Sequence, residues 1–500
     1  MKDLFFRISI LTILLFTLAA CHETGGNDPE PEKSDKASLI RLSFTNADNP
    51  GVSGSPSGIL ANGYYCISVT ESVDRSKLVP DIRVSDGASV FIDGIPHTPG
   101  NAYDFSGNVQ ELKVVSESGN KAVSYKLLVK HGNAYIDNKL YQFMDDFSIP
   151  GVSVSIMKGT DVVYASGCGF ADAATLTRVT PDHLFRMASI SKQFCTFCIM
   201  MLKEQGRLSL DQPVFGDKGL LKGIYKNLTA YHEAITVRNL LSHSSGICKG
   251  LSDPAFTNAY RFFSGSQNPV PTDTLIQRTI DARQFPYDDG TMVWSPGMGY
   301  NYSNVGFCIL HRIVEVVSGK DYESYLKEDV LEKMGITDTH IGGYQNERRP
   351  NECVFYSQGD ANGYANPLRE LAGAAGIITS TSQLMKILTY IDGDDTVPDI
   401  FSHETLQEMY TPYHYSGTGT YGANYHRYGL GWRMNHTRLF PGSHYHGGNL
   451  AGTATLWAGG TDSGMSGAFV CNSRAYNSNS TGDIDDNMYV LLDEFLKYFN

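Results

Sequence analysis

Residues 134–164 read AYIDNKLYQFMDDFSIPGVSVSIMKGTDVVY, and two periodicities meet inside them. Leu140, Phe143, Met144 and Phe147 fall at the i, i+3, i+4, i+7 spacing of an amphipathic helix, which Pro150 and Gly151 stop. Val152, Val154 and Ile156 then alternate, Lys158 to Asp161 supply a turn, and Val162, Val163 and Tyr164 return as the second arm of a hairpin. At the far end Met488, Leu491, Leu492, Phe495, Leu496 and Phe499 mark a closing amphipathic helix. Helix and hairpin, a helix-rich middle, late strands and a final helix predict a mixed α/β (α+β) fold over residues 133–500. Its antiparallel sheet is flanked by the terminal helices and carries an inserted all-α subdomain.

Upstream the pattern changes. Short alternating segments at 38–44, 64–69, 88–92, 109–115 and 124–129, broken by Gly, Pro and Asn-Pro, predict a small all-β sandwich over residues 37–132. This stretch resembles the immunoglobulin-like modules that follow lipoprotein tethers in gut-type Bacteroidetes proteins. It holds no set of catalytic residue types and reads as a spacer or weak binding module. Residues 22–36 (HETGGNDPEPEKSDK) contain no apolar side chain and cannot repay the entropy of ordering, so 21–36 reads as a flexible tether. Residues 8–20 form an apolar run after Lys2 and Arg7 that is too short to span hydrocarbon, as a secretory signal is. The run ends Leu18-Ala19-Ala20-Cys21, which resembles the lipobox of bacterial lipoproteins. That resemblance implies a signal peptide over 1–20, lipidation of Cys21, and a cell-envelope protein anchored in a membrane by its lipid.

The composition bounds the partners. With 40 Lys+Arg against 53 Asp+Glu the net charge is −13, and 41% of residues are hydrophobic, so the chain is globular and lacks the basic clusters that grip nucleic acid. A small-molecule or peptide substrate is the expected partner. Nine cysteines in 500 residues are too sparse for a disulfide scaffold. Cys195 and Cys198 have C-x-x-C spacing but no second pair to complete a zinc site, and they lie in an apolar run that reads as a buried helix.

The sharpest chemical signal is FRMASISK at 185–192, followed by an apolar stretch to Leu202. If Ser189 opens that helix, Lys192 falls one turn later on the same face, within reach of the serine hydroxyl. A serine becomes a nucleophile only when a base takes its proton, and the helix N-terminus offers unpaired N–H groups to a developing oxyanion. S-x-x-K alone arises by chance in a chain this long. Two further elements follow in order: Tyr302-Ser303-Asn304, preceded by Trp294-Ser-Pro-Gly297, and His446-Gly447-Gly448 on an apparent late strand.

Together these resemble the three motifs of the penicillin-recognising serine hydrolases in their class C β-lactamase form: S-x-x-K, Y-x-N, and K-T-G or its H-x-G variant. Segments 149–154, 235–246, 330–335, 373–378 and 428–432 are similar to family landmarks in family order, so the resemblance covers about residues 134–475. It implies that Ser189 is the acylated nucleophile, that Lys192 shares its proton, and that Tyr302 relays a proton to the leaving group. Asn304 would bind the substrate amide and steady Lys192. Gly448 and His446 would line the substrate strand, and the N–H groups of Ser189 and Asn449 would form the oxyanion hole. The chemistry needs no cofactor and no metal. The family includes β-lactamases, D-alanyl-D-alanine peptidases, D-aminopeptidases, esterases and amide hydrolases. A slow penicillin- or glycan-binding sensor is the rival from another class.

His446 departs from the lysine form. A histidine is mostly neutral at pH 7, so it should hold a substrate carboxylate less firmly than an ammonium would, and uncharged esters or amides are the expected substrates. Arg427 and Arg433, beside the 428–432 landmark, are the other cations that could supply such a grip. His444 and His446 share a strand face, but no third metal ligand accompanies them at a persuasive spacing. His243, in LLSHSSG at 240–246, reads as a structural loop histidine, since lysine already fills the role of base.

Overall fold

The chain changes material at Gly132, and the computed structural model shows a β module and a larger α/β domain on either side of it. The structure describes residues 32–247, 255, 270–281, 295–359, 362–416, 426–435, 439, 441–460, 462–475 and 482–500. Cys21 with its flanking leader and tether, and Trp294, lie outside the described residues.

The N-terminal module has eight strands: β1 (Leu39–Ser43), β2 (Ile59–Ala61), β3 (Tyr64–Val69), β4 (Asp81–Val84), β5 (Ser89–Ile92), β6 (Ile95–Pro96), β7 (Gln110–Val115) and β8 (Ala122–His131). Six of them form one sheet in the order β2-β3-β8-β7-β5-β6, while β1 pairs with β4 in a second. Leu42, Phe44, Ile67, Phe105, Leu112 and Leu127 fill the space they enclose. The pair β3–β8 is parallel, which makes β8 a central strand that extends to His131.

In the larger domain the strands are β9 (Gly151–Lys158), β10 (Asp161–Asp172), β11 (Thr177–Arg178), β12 (Phe185–Arg186), β13 (His340–Ile341), β14 (Ile377–Thr379), β15 (His414–Ser416), β16 (His426–Tyr428), β17 (Arg433–Met434), β18 (His444–Leu450), β19 (Thr453–Gly459) and β20 (Met465–Cys471). Nine of them build one antiparallel sheet, β11-β10-β9-β20-β19-β18-β17-β16-β15, while β13-β14-β12 form a small second sheet beside the helical middle. The helices that frame the site are α1 (Ala134–Asp146), α2 (Ser191–Glu204), α3 (Asn304–Ser318), α4 (Thr381–Leu388) and α5 (Ile484–Phe499).

The expected helix and hairpin are present. Asn133 caps α1 by accepting from the N–H groups of Tyr135 and Ile136, and Gly159 turns the hairpin with φ +56°. Val152, Val154 and Ile156 of β9 pack against α1 and α5. The alternating Ser153 and Ser155 are buried as well, because both hydroxyls bond Thr381 Oγ1 of α4, at 2.8 and 2.9 Å. With helices on both faces the central strands have no solvent side. Helix α2 is buried from Ser191 through Leu202, which is why its sequence is apolar all round. Cys195 and Cys198 are two of its packed thiols, and burial pushes both up.

The module is more than a spacer. Ala61, Cys66 and Leu128 share one apolar cluster with Ile136, Leu140 and Met144 of α1, so that helix is covered on two sides. This explains why Asp137, polar by sequence, has no exposure. Its carboxylate accepts from Tyr164 Oη at 2.5 Å and Ser166 Oγ at 3.3 Å, and pairs with Lys130 of β8 at 2.9 Å. Removing one partner of such a pair strands the other without a counter-charge. Asp137→Ala should therefore cost about 3–5 kcal/mol in urea unfolding. The double replacement Asp137→Leu/Lys130→Met should restore most of that. A loss below about 1 kcal/mol, the range of an exposed pair, would show that the seam does not depend on this contact.

Candidate active site

Ser189 sits in the single turn between β12 and α2, and two strands, β14 and β19, fix it. Met187 N–H donates to Ile377 O of β14 at 2.9 Å, and Ile377 N–H donates to Ser191 Oγ at 2.9 Å, so β14 clamps the chain on both sides of the serine. Thr453 and Thr455 of β19 donate to the carbonyls of Arg186 and Met187, at 2.9 and 3.0 Å. Between these anchors Ala188 is held at φ +47°, a left-handed conformation that costs a non-glycine residue about 1–2 kcal/mol. Strain of this kind persists only where the surroundings over-determine the backbone.

Lys192 lies one turn on and is fully buried. Its Nζ reaches Ser189 Oγ at 3.2 Å, Asn304 Oδ1 at 2.8 Å and the Ala374 carbonyl at 2.9 Å. Tyr302 Oη lies 2.9 Å from Ser189 Oγ, and the lysine nitrogen stands 4.9 Å from the centre of the Tyr302 ring. The serine oxygen is thus shared by the two groups able to take its proton. Asn304 opens α3, whose N-cap Ser303 accepts from Gly306 N–H at 3.1 Å. The Ala374 carbonyl comes from the Gly373–Gly376 turn, where a side chain on Gly373 would collide with the Phe307 carbonyl and His311 of α3. This third lysine partner is a backbone atom and had no signature of its own in the sequence.

Gly448 brings β18 against the nucleophile. A Cβ there would stand 3.0 Å from Ser189 N and would also meet Met187 O and Thr455 Oγ1, so no side chain fits. Asn449 follows it. Its Oδ1 accepts from Arg474 at 2.6 Å and its Nδ2 donates to Asp485 at 2.9 Å, which commits the side chain to α5 and leaves the backbone as its contribution to the cleft.

His446 is 1% exposed, and both ring nitrogens are engaged: Nδ1 with the Gly447 carbonyl at 2.6 Å and Nε2 with Tyr428 Oη at 3.3 Å. A carbonyl can only accept, so Nδ1 carries the proton and Nε2 accepts from the tyrosine. Burial, Arg433 and Lys192 hold this imidazole well below the usual histidine range. With both nitrogens committed, neither is offered to a metal. His444 packs on Tyr410 at 4.0 Å between ring centres and is pushed down to about 3 by burial.

His243 shapes the site without touching the serine. It holds φ +54°, its Nδ1 accepts from Ser303 N–H at 3.1 Å, its carbonyl accepts from Asn301 N–H at 2.6 Å, and its ring lies 4.3 Å from that of Tyr302. The loop histidine of the sequence therefore sets the position of the Y-x-N turn. Arg433 of β17 stands with its guanidinium carbon 5.9 Å from the Tyr302 ring, facing the hydroxyls of Tyr300 and Tyr445. It forms no ion pair among the described residues, and its Nε is buried without a partner. The site therefore holds a permanent cation beside the neutral His446.

This geometry agrees with what the chain is similar to. The family model described as Beta-lactamase matches residues 136–490. "Putative penicillin-binding protein PbpX" of Bacillus subtilis (strain 168) is 25% identical over 395 residues, covering 77% of this chain and 87% of the relative. The chain spans about half the length (48%) of a Staphylococcus aureus relative that it also matches. Among solved structures, the octameric penicillin-binding protein homologue from Pyrococcus abyssi superposes with a TM-score of 0.58 at 26% identity, over 73% of this chain and 77% of that one. The D-amino acid amidase from Ochrobactrum anthropi SV3 shares the fold, with a TM-score of 0.55 at 20% identity over 73% and 100% of the two chains. A family model covering most of the chain identifies this protein as a serine hydrolase of the beta-lactamase family.

Proposed function

We propose that the chain hydrolyses an amide or ester bond through an acyl-enzyme on Ser189, and that its substrate carries an anionic group read by Arg433. The observation that carries the reading is the serine oxygen lying between Lys192 Nζ at 3.2 Å and Tyr302 Oη at 2.9 Å. As Ser189 Oγ attacks the carbonyl carbon, its proton passes to the Lys192–Tyr302 pair. The carbonyl oxygen becomes an oxyanion beside the N–H groups of Ser189 and Asn449. Collapse breaks the bond to the leaving amine or alcohol, which takes the proton from the same pair. Water then attacks the ester, returns its proton by the reverse route and frees Ser189.

The relatives named as penicillin-binding proteins and the neighbour named as a D-amino acid amidase support an amide substrate. Arg433 favours the peptidase- or β-lactam-like members of that group over neutral esters, because a guanidinium pairs a carboxylate through two parallel bonds. The leader supports a location at the cell envelope, with the mature chain held to a membrane through Cys21.

Four outcomes check this reading. Lys192→Ala and Tyr302→Phe should each lower kcat by about 10²–10⁴, the range of general acid–base groups, in steady-state assays on a nitrophenyl ester. Arg433→Gln should lower kcat/KM for a carboxylate-bearing cephalosporin by about 10- to 100-fold, one charged hydrogen bond's worth, and leave a neutral ester within about threefold. The wild-type ratio of those two activities should stay flat from pH 8 to 6, because His446 is held neutral through that window and Arg433 stays charged. A cephalosporin rate that climbs as pH falls would instead make the imidazole the anion-binding group. Mass spectrometry of the membrane fraction should find a diacylglycerol-modified N-terminus at Cys21, whereas an unmodified sequence running through residue 21 would remove the anchor.

A further inference from the structure

A second concentration of positive charge lies at the seam between the module and the hydrolase domain. A cavity of about 570 Å³ opens there, lined from the module by Arg75, Asn108 and Lys130 and from the hydrolase domain by Ser166, Thr177 and Arg178. Among its described lining residues there is no carboxylate. That is unexpected in a chain of net charge −13, where acidic side chains outnumber basic ones.

The three cations differ in what already balances them. Lys130 is neutralised by Asp137 at 2.9 Å and bonds Ser166. Arg75 spends one amino group on the carbonyls of Val129 at 2.7 Å and Phe105 at 3.3 Å, and its Nε is buried with no partner. Arg178 reaches only the Asn108 carbonyl, at 3.3 Å. Neither guanidinium forms an ion pair among the described residues, and each is close enough to the other for Arg178 to disfavour the charge on Arg75. Carbonyl partners fix the orientation of a guanidinium without cancelling its charge. The fold therefore holds two guanidiniums that form no ion pair against one cavity, with Asp104 and Glu71 favouring the charge on Arg75 from farther off, and with hydroxyls and an amide around them.

We propose that this cavity binds a tetrahedral oxyanion, a phosphate or sulfate group, between Arg75 and Arg178. Two guanidinium forks from opposite sides suit such a group better than a single carboxylate, since each can bond two of its oxygens. Because the cavity draws on both domains, occupancy strengthens the seam: a ligand bound only by the folded, docked state raises its stability. The site is independent of the catalytic reading, and nothing in Ser189 chemistry is needed for it.

The test is isothermal titration calorimetry on the full chain with inorganic phosphate, sulfate and a sugar phosphate, beside thermal unfolding at constant ionic strength set with chloride. Wild type should release heat on binding, and its unfolding midpoint should rise by several degrees at about 100 times the dissociation constant. Arg178→Gln should weaken binding at least tenfold. It should keep the wild-type midpoint, or exceed it, in chloride alone, since it removes a like-charge repulsion. Arg75→Lys keeps the charge but loses the fork, and should weaken binding while staying folded. Tighter binding of the sugar phosphate than of the inorganic ion would identify the group as part of a larger molecule, and the reverse would identify a free ion. Absence of binding by wild type to all three, or equal binding by Arg178→Gln, would overturn the proposal.

Discussion

The amine of Lys192 is the point on which the active site is built. It is buried completely and needs polar partners, and burying an ammonium or amine without them costs several kcal/mol. Its partners come from three places: Ser189 on its own helix, Asn304 at the start of α3, and the Ala374 carbonyl in the turn that leads into β14. Satisfying one nitrogen therefore requires α2, α3 and β14 to meet within a hydrogen bond's length. The close contacts around it follow from that requirement. Gly373 has no side chain because the turn must press against α3, and Gly448 has none because β18 must press against the nucleophile.

The electrostatics of the cleft follow from the same compactness. Two imidazoles, His243 and His446, stand near two permanent or potential cations and are buried, so both are held neutral. Each accepts or donates in a fixed sense, His243 accepting from Ser303 N–H and His446 donating to Gly447 O. A histidine kept neutral in the fold favours folding above its unfolded value near 6.5, and that contribution is lost as pH falls below it. The permanent positive charge near His446 is then carried by Arg433 of the neighbouring strand β17.

Much of this was legible in the sequence wherever the relevant spacing is local. The i, i+3 relation puts Lys192 beside Ser189 whatever the rest of the chain does, and the order of the three motifs supplied Tyr302, Asn304 and Gly448. The alternation at 152–156 and the periodicity at 140–147 gave β9 and α1 for the same reason. What could not be read depended on the partner an element acquires in three dimensions. The burial of Asp137 depends on the β module, whose Lys130 pairs with it. His446 was read as mostly neutral from its reference titration, and burial beside Arg433 and Lys192 lowers it further. Arg433 was named only as a neighbour of a landmark; its position against Tyr302 follows from the β17–β18 register, in which it lies opposite Tyr445, one residue before His446. The Ala374 carbonyl is backbone, and residue type does not announce it.

The measurement that bears most directly on the account is acid-quenched turnover of a slow ester or β-lactam, followed by peptide mass spectrometry of the trapped enzyme. The geometry predicts one equivalent of acyl group on Ser189, formed quickly in wild type and slowly in Tyr302→Phe, with every other serine unmodified. An acyl group found on Ser303 or Ser191, or steady turnover with no covalent species on Ser189, would contradict it.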